Sequence, residues 1–311
     1  LHSIYISQSF NPYFNLAFEE YLVGRRRPHE QILYLWQNQN TVVIGRNQNP
    51  WKECNLEELN RLGGQLVRRL SGGGAVYHDL GNLNFTFISP DGVDQIHRNM
   101  EVILQALSLN GISADFSGKN DILAEGFKIS GNAYFLEEDT LCHHGTLLLD
   151  VDFEKLSRVL TVSPKKLQSK GIDSVKSRVK NLKEFNNKIS LDSLQQDLIQ
   201  TFTSKAEVWQ INQISEEEIQ ADLPEILELK NRYESWGWSY GSSPEFNVEL
   251  SEHFPWGEVT LYLTILDGII EKVTVATDSL NLEVPTLICQ QVLHRRFNQE
   301  SLWNQLGSLF K

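Results

Sequence analysis

Hydrophobic and polar positions alternate in a way that predicts helices and short strands in irregular order. Leu16, the Phe18–Glu19 pair and Leu22–Val23 fall at helical spacing, predicting a helix over Asn15–Val23, between the Asn11-Pro12 turn and Gly24. Ile32–Trp36 and Thr41–Gly45 are β-rich runs across an Asn/Gln turn, predicting a hairpin. Further strands are predicted at Gln65–Leu70, Asn84–Ser89, Ala114–Phe116, Ile122–Leu123, Phe127–Ile129 and Gly145–Leu149. Helices are predicted at Leu56–Leu62, Ile96–Leu109, Phe153–Leu160, Leu191–Phe202 and Ser215–Arg232.

Hairpins outnumber regular strand–helix–strand alternation. The expected class is therefore α+β with a mixed or antiparallel sheet, not a doubly wound fold. Ser235–Phe246 is rich in Gly, Ser, Pro and Trp and reads as a linker. Beyond it lie a hairpin, Glu258–Ile265 and Ile269–Ala276 around Asp267-Gly268, a helix Thr286–Leu293 and another near the end. The expected division is a catalytic domain over 1–245 and a small α/β domain over 246–311.

Composition narrows the class. The 311 residues are 41% hydrophobic and 22% charged, which suits a soluble globular chain. No apolar run approaches a membrane span, and the first 18 residues lack a signal-peptide pattern. Cys54, Cys142 and Cys289 are odd in number and widely spaced, which points to a reducing cytoplasm. A net charge of −12 argues against a nucleic-acid partner, which needs a basic face.

Four segments carry candidate chemistry. The first is Arg68-Arg69-Leu70-Ser71-Gly72-Gly73-Gly74-Ala75-Val76-Tyr77-His78-Asp79. Its glycines free the backbone to form an anion nest, and its arginines add fork-shaped cations. No Lys-Ser/Thr pair follows and the next residues are strand-like, so it is neither a P-loop nor a dinucleotide fingerprint. The second segment holds Asn120, Asp121 and Lys128, a cation before a Ser-Gly turn with a carboxylate able to ligate Mg²⁺. The third is Cys142-His143-His144-Gly145-Thr146; adjacent strand residues face opposite ways, so at most one histidine can face a site. The fourth is the basic stretch Lys165–Lys188, suited to covering a phosphate site or docking an acidic partner.

In this order, with Thr41–Asn49, Lys128-Ile129-Ser130-Gly131-Asn132 and Lys170–Leu182, these segments resemble the lipoate–protein ligase A family across nearly the whole chain. The resemblance implies a catalytic domain related to biotin ligases and class II aminoacyl-tRNA synthetases, with a small accessory domain that rotates about Trp236–Phe246. It implies activation of lipoate by Mg-ATP to lipoyl-adenylate, then transfer to a lysine of a lipoyl domain of 2-oxo acid dehydrogenases or of glycine-cleavage H protein. It assigns Arg69, Ser71, Gly73, Gly74, Ala75, Val76, Tyr77, Asn120, Asp121 and Lys128 to the nucleotide, with Lys128 catalytic. Arg69, Gly74, Lys128 and His144 go to lipoate, and Asp121 to Mg²⁺. Leu70 stands where many relatives carry another arginine. The Trp36–Ile44 hairpin is the expected wall of an apolar slot for the acyl tail. The rival readings are a transferase using a preformed activated acyl donor, with Cys142 as a thioester nucleophile, and a non-catalytic lipoate binder.

Overall fold

A computed structural model describes residues 1–92, 94–117, 120–161, 179–241, 247–266, 268–297 and 299–308. The main sheet has eight strands. In chain order they are β1 (His2–Ser7), β2 (Gln31–Trp36), β6 (Asn82–Pro90), β7 (Asp115–Phe116), β8 (Asp121–Ala124), β9 (Phe127–Glu137), β10 (Thr140–Leu148) and β11 (Trp209–Ile214). Their spatial order is β11-β1-β2-β6-β10-β9-β8-β7. β1 runs parallel to both β11 and β2, and the remaining pairs are antiparallel, so the sheet is mixed, as the pattern predicts.

Both faces of this sheet are covered. On one, Leu33, Leu35, Phe85, Phe87 and Leu147 pack under the helices Gln95–Leu109 and Leu191–Thr203. On the other, Ile32, Tyr34, Trp36 and Ile88 pack under helix α1 (Pro12–Arg25), itself covered by Pro224–Glu234. Asn11 starts α1 by accepting a hydrogen bond from the Tyr13 N–H, with Pro12 pre-set in helical φ. Because α1 lies between two layers, its buried stripe is wide enough to include the polar residues Asn15 and Glu19.

A second sheet holds β4 (Gln65–Arg68), β3 (Thr41–Ile44) and β5 (Val76–His78) in that order, with β3 parallel to β4 and antiparallel to β5. This corrects the expected hairpin: β2 and β3 belong to different sheets. The turn between them is pulled onto α1, where Asn15 Nδ2 donates to the Gln37 carbonyl and to Asn38 Oδ1. The expected helix Ser215–Arg232 is likewise two helices, Glu216–Asp222 and Pro224–Glu234. Pro224 has no N–H to continue the first and restricts Leu223. β9 and β10 run well beyond the predicted Phe127–Ile129 and Gly145–Leu149, because burial on both faces hides their alternation.

The C-terminal module is a three-stranded antiparallel sheet, β12 (Val248–Phe254), β13 (Gly257–Leu266) and β14 (Ile269–Thr277), with helices Val284–Val292 and Gln299–Leu306. Among the described residues its core draws on this module alone, with Leu261, Leu263, Ile288 and Leu306. No helix among the described residues is long and apolar enough to cross a membrane.

Candidate active site

The site lies on the α1 face of the main sheet. Residues paired across antiparallel strands project to the same side. One row runs Trp36–Asn84–Thr146, crossing β2, β6 and β10, and the Gly131 N–H of β9 donates to Thr146 Oγ1 at 3.2 Å. A parallel row runs Tyr34–Thr86–His144–Ala133. The Lys128 ammonium sits over Gly131, 3.1 Å from where a Cβ would be. A cavity of about 260 Å³ follows the first row, from Trp36 on β2 to Lys128 on β9. Three inter-strand steps make that span roughly 14 Å. Leu16, Val43, Val76 and Ala133 add apolar wall.

The glycine segment closes this cavity from above. It joins β4 to β5, which flank β3 without pairing to each other. Its fit is tight: a Cβ on Gly45 would overlap the Gly73 carbonyl, and Gly73 has φ of 90°. Arg69 holds the segment from beneath. Nε donates to Ser71 Oγ at 2.9 Å, Nη1 to the Val43 carbonyl, and Nη2 to the carbonyls of Gly72 and Gly74 at 2.7 and 2.9 Å. Burial lowers its pKa to about 10, so it remains cationic near neutrality.

Arg68 departs from its expected role as a second anion-holding charge. It donates to the carbonyls of Gly45, Arg46, Gln48, Trp238 and Ser239 and does not line the cavity. It ties the glycine segment to Trp236–Ser239, a helical turn whose Trp238 Nε1 donates back to the Arg68 carbonyl. The first half of the expected hinge is thus docked on the catalytic core; residues 242–246 lie outside the described residues.

A buried polar chain links the two ends of the site. Trp36 Nε1 donates to Thr86 Oγ1 at 3.0 Å, and Thr86 Oγ1 donates to Glu19 Oε2 at 2.6 Å. His144 Nδ1 lies 3.0 Å from both Glu19 oxygens, and its Nε2 lies 2.7 Å from Ser71 Oγ. An ionised Glu19 places the imidazole proton on Nδ1. Nε2 then accepts the Ser71 hydroxyl, whose oxygen is left to accept Arg69 Nε–H. Every donor in the chain therefore meets an acceptor.

His143 points the other way, so of the two adjacent histidines only His144 serves the site. It is fully buried between Asn99 and Asn132, and burial holds its pKa down to about 3. Cys142 is also fully buried, with its pKa pushed well above the ordinary thiol range by desolvation and by Glu19. It stays a thiol and does not line the cavity, which removes the thioester nucleophile. Glu19, Cys142 and His144 bring one potential ligand atom each within 4.8 Å of one another, but hydrogen bonds already engage Glu19 and His144.

Lys128 Nζ approaches Asp121 Oδ1 to 2.7 Å, obliquely, as an ion pair without a directed hydrogen bond. Val179 bridges to Lys128 in parallel and the Lys180 N–H donates to the Lys128 carbonyl. The end of the basic stretch is therefore anchored on this strand; residues 162–178 lie outside the described residues. The Asn120 carbonyl accepts from Asn132 N and Nδ2.

Of the residues expected from sequence, Arg69, Gly73, Gly74, Ala75, Val76, Asn120, Lys128 and His144 line one cavity. Asp121 reaches it through Lys128. Ser71 lies fully buried behind the loop. The Tyr77 side chain packs into a separate core, its hydroxyl 3.1 Å from Asn40 Oδ1. Glu19 and Asp278 stand outside the four segments; only Glu19 left a signal in the sequence, an acid on the apolar stripe of α1.

The C-terminal module closes on the same loop. The Gly73 N–H donates to the Ser279 carbonyl at 3.1 Å and the Thr277 N–H to the Asn47 carbonyl at 3.0 Å. A Cβ on Gly72 would strike the Ser279 carbonyl, and Asp278 lines the cavity.

The lipoyl protein ligase A/B catalytic domain family matches residues 11–203, and the bacterial lipoate protein ligase C-terminus family matches 243–310. Among curated relatives, lipoate-protein ligase A of Bdellovibrio bacteriovorus is 41% identical over 98% of this chain and 91% of its own. That of Psychrobacter cryohalolentis is 38% identical over 94% of this chain and 88% of its own. Among solved structures, P. falciparum LipL1 in complex with lipoate has a TM-score of 0.84 at 29% identity, covering 99% of this chain and 95% of that one. A lipoate-protein ligase A bound with ATP has a TM-score of 0.66 at 27% identity, covering 77% of this chain and 98% of that one. A charged loop-and-lysine end, an apolar Trp36 end and matches at both halves of the chain lead to one conclusion: this protein belongs to the lipoate–protein ligase A family.

Proposed function

We propose that this chain is an ATP-dependent lipoate–protein ligase that works in two steps on the cavity between Trp36 and Lys128. The observation that carries the reading is the polarity of that cavity. One end gathers Lys128, Arg69 and the Gly73–Gly74 turn, while the other is walled by Trp36, Leu16 and Val43. An acid with a long apolar tail fits only with its carboxylate toward Lys128. In the first step a carboxylate oxygen attacks the α-phosphorus of ATP, and the bond to pyrophosphate breaks. Two anions must meet, so Lys128 offsets their repulsion and stabilises charge on the phosphoryl oxygens. Arg69 acts from beneath, as a fixed charge and as the strut of the loop. Ser71, Ala75, Val76, Tyr77 and Asn120 belong to the same nucleotide-holding frame.

Asp121 suits Mg²⁺ as a protein carboxylate ligand. Its Oδ1 carries no directed hydrogen bond, and Mg²⁺ is commonly held by one or two carboxylates plus phosphates and water. The cluster Glu19–Cys142–His144 does not suit it, because thiol and imidazole are not its preferred donors. When bound, the ion would neutralise phosphate charge.

In the second step a lysine ε-amine of an acceptor attacks the lipoyl carbonyl, forming an amide and releasing AMP and a proton. The acceptor is a lipoyl domain of a 2-oxo acid dehydrogenase, the kind of partner described with a Thermoplasma acidophilum bipartite ligase, or glycine-cleavage H protein. We assign residues 1–245 to catalysis and 246–311 to an accessory domain whose Ser279 contact with Gly73 must loosen for the acceptor lysine to enter. Incubation with ATP, Mg²⁺, lipoate and a lipoyl domain is expected to add one lipoyl mass to one lysine. Transfer from ready-made lipoyl-adenylate but not from lipoate and ATP would instead establish the transferase reading.

A further inference from the structure

The Trp36 end of the cavity carries an N–H donor that no group among the described residues uses, and its orientation can be traced to the backbone. Asn15 Nδ2 donates to the carbonyls of Ser9 at 3.0 Å and Gln37 at 2.8 Å, which fixes the direction of its amide. The same Nδ2 reaches Asn38 Oδ1 at 3.0 Å. Asn38 therefore turns its Nδ2 toward His78 Nδ1, 3.3 Å away. An N–H aimed at Nδ1 requires a lone pair there, so the neutral imidazole carries its proton on Nε2. The ring is neutral because burial, then the Arg69 charge, hold its pKa down to about 3. His78 lines the cavity edge-on to Trp36, with ring centroids 6.1 Å apart, and its Nε2 is buried without a partner. Asn84, paired with Trp36 across β2 and β6, also lines the cavity; one end of its amide bonds to Asn82 and the other is buried without a partner among the described residues.

Unsatisfied buried donors are costly, so they favour a ligand that brings an acceptor to them. The tail end of an octanoyl chain is a methyl group and brings none. The dithiolane ring of lipoate brings two sulfurs, which are weak acceptors and pack well on aromatic faces. We propose that His78 is a specificity-determining residue: its Nε2–H, beside Asn84 and Trp36, favours a sulfur-bearing ring over a straight chain or a sulfur-free ring. The inference rests on the reading of the cavity as the acid site of a ligase.

The test measures kcat/KM for acid-dependent pyrophosphate release with lipoate, octanoate and cyclopentyl-pentanoate, the last matching the ring without its sulfurs. The unmodified protein is expected to favour lipoate over the cyclopentyl acid by roughly threefold to tenfold, the size of a weak sulfur contact. His78→Phe is expected to bring that ratio close to one, and His78→Gln, which retains an N–H donor, to restore most of it. Should His78→Phe fail to fold, Asn38→Leu keeps the imidazole but removes the group that sets its tautomer, and is expected to lower the same ratio. An undiminished ratio in His78→Phe or, in its place, in Asn38→Leu would overturn the assignment and leave a water as the donor's partner. No preference for lipoate over the cyclopentyl acid in the unmodified protein would overturn it equally. Failure to release pyrophosphate with any acid would sink the ligase reading, and this inference with it.

Discussion

Two adjacent histidines on β10 sit on opposite faces of one sheet and do opposite things. His143 enters a face filled by Phe85, Phe87, Leu33 and Leu35, where burial holds it neutral between two asparagine partners. His144 enters the face under α1, where Glu19, Thr86, Ser71 and Arg69 form a connected polar chain beside a cavity. The same residue type, buried in both places, is structural on one side and part of a site on the other. What separates them is a buried carboxylate: Glu19 fixes a tautomer on His144 that passes order on to the glycine loop. Burial alone would not distinguish the two.

The largest effect should come from the charged end of the functional face. Lys128→Ala is expected to lower lipoate-dependent pyrophosphate exchange by about a hundredfold to a thousandfold, as loss of a transition-state charge does. Thermal stability should barely change, because the Lys128 side chain is about one-third exposed and its ion pair with Asp121 is correspondingly screened. A variant equally inactive and unfolded would contradict the comparison.

Glu19→Gln tests the chain that sets His144 apart. Gln offers only one oxygen where Glu19 serves both Thr86 and His144, leaving one donor unmet. Exchange activity is expected to fall roughly tenfold, about 1.4 kcal/mol, with kcat affected more than KM. Activity equal to that of the unmodified protein would reduce the chain to ordinary core packing.

His143→Leu, on the other face, should leave exchange per folded molecule intact and cost about 1–3 kcal/mol of stability, as Asn99 and Asn132 lose a partner. Its pH dependence has a definite sign. The folded pKa of His143, about 3, lies below its ordinary 6.5. Its stabilisation is therefore fully present above pH 6.5 and fades as pH falls toward 3. By about pH 5 the cost of the substitution should shrink by about 2 kcal/mol, measured by denaturant unfolding at both pH values.

The glycine loop and Lys128 were legible in the sequence because their chemistry is local, written in short runs with unusual composition. The small module was legible for the same reason, since Asp267-Gly268 between two alternating runs marks its hairpin. What escaped depends on distance along the chain. Glu19 meets Thr86 across 67 residues and His144 across 125, so no local pattern announces the chain they form. The expected β2–β3 hairpin failed for a related reason: Asn15, over 20 residues away, draws the turn onto α1, and β3 finds its partners in β4 and β5. Arg68 and Arg69 looked equivalent as neighbours on a strand, yet alternation sends one to the carbonyls of Gly45, Gln48 and Trp238 and the other beneath the glycine loop.

In the proposed reaction the Lys128 end of the cavity brings a carboxylate to the α-phosphate of ATP. Lipoate-dependent exchange of labelled pyrophosphate into ATP, with no acceptor protein present, measures that step directly. Exchange is expected to require both lipoate and Mg²⁺ and to be nearly lost in Lys128→Ala. Tight lipoate binding without any exchange, or full exchange in Lys128→Ala, would contradict it.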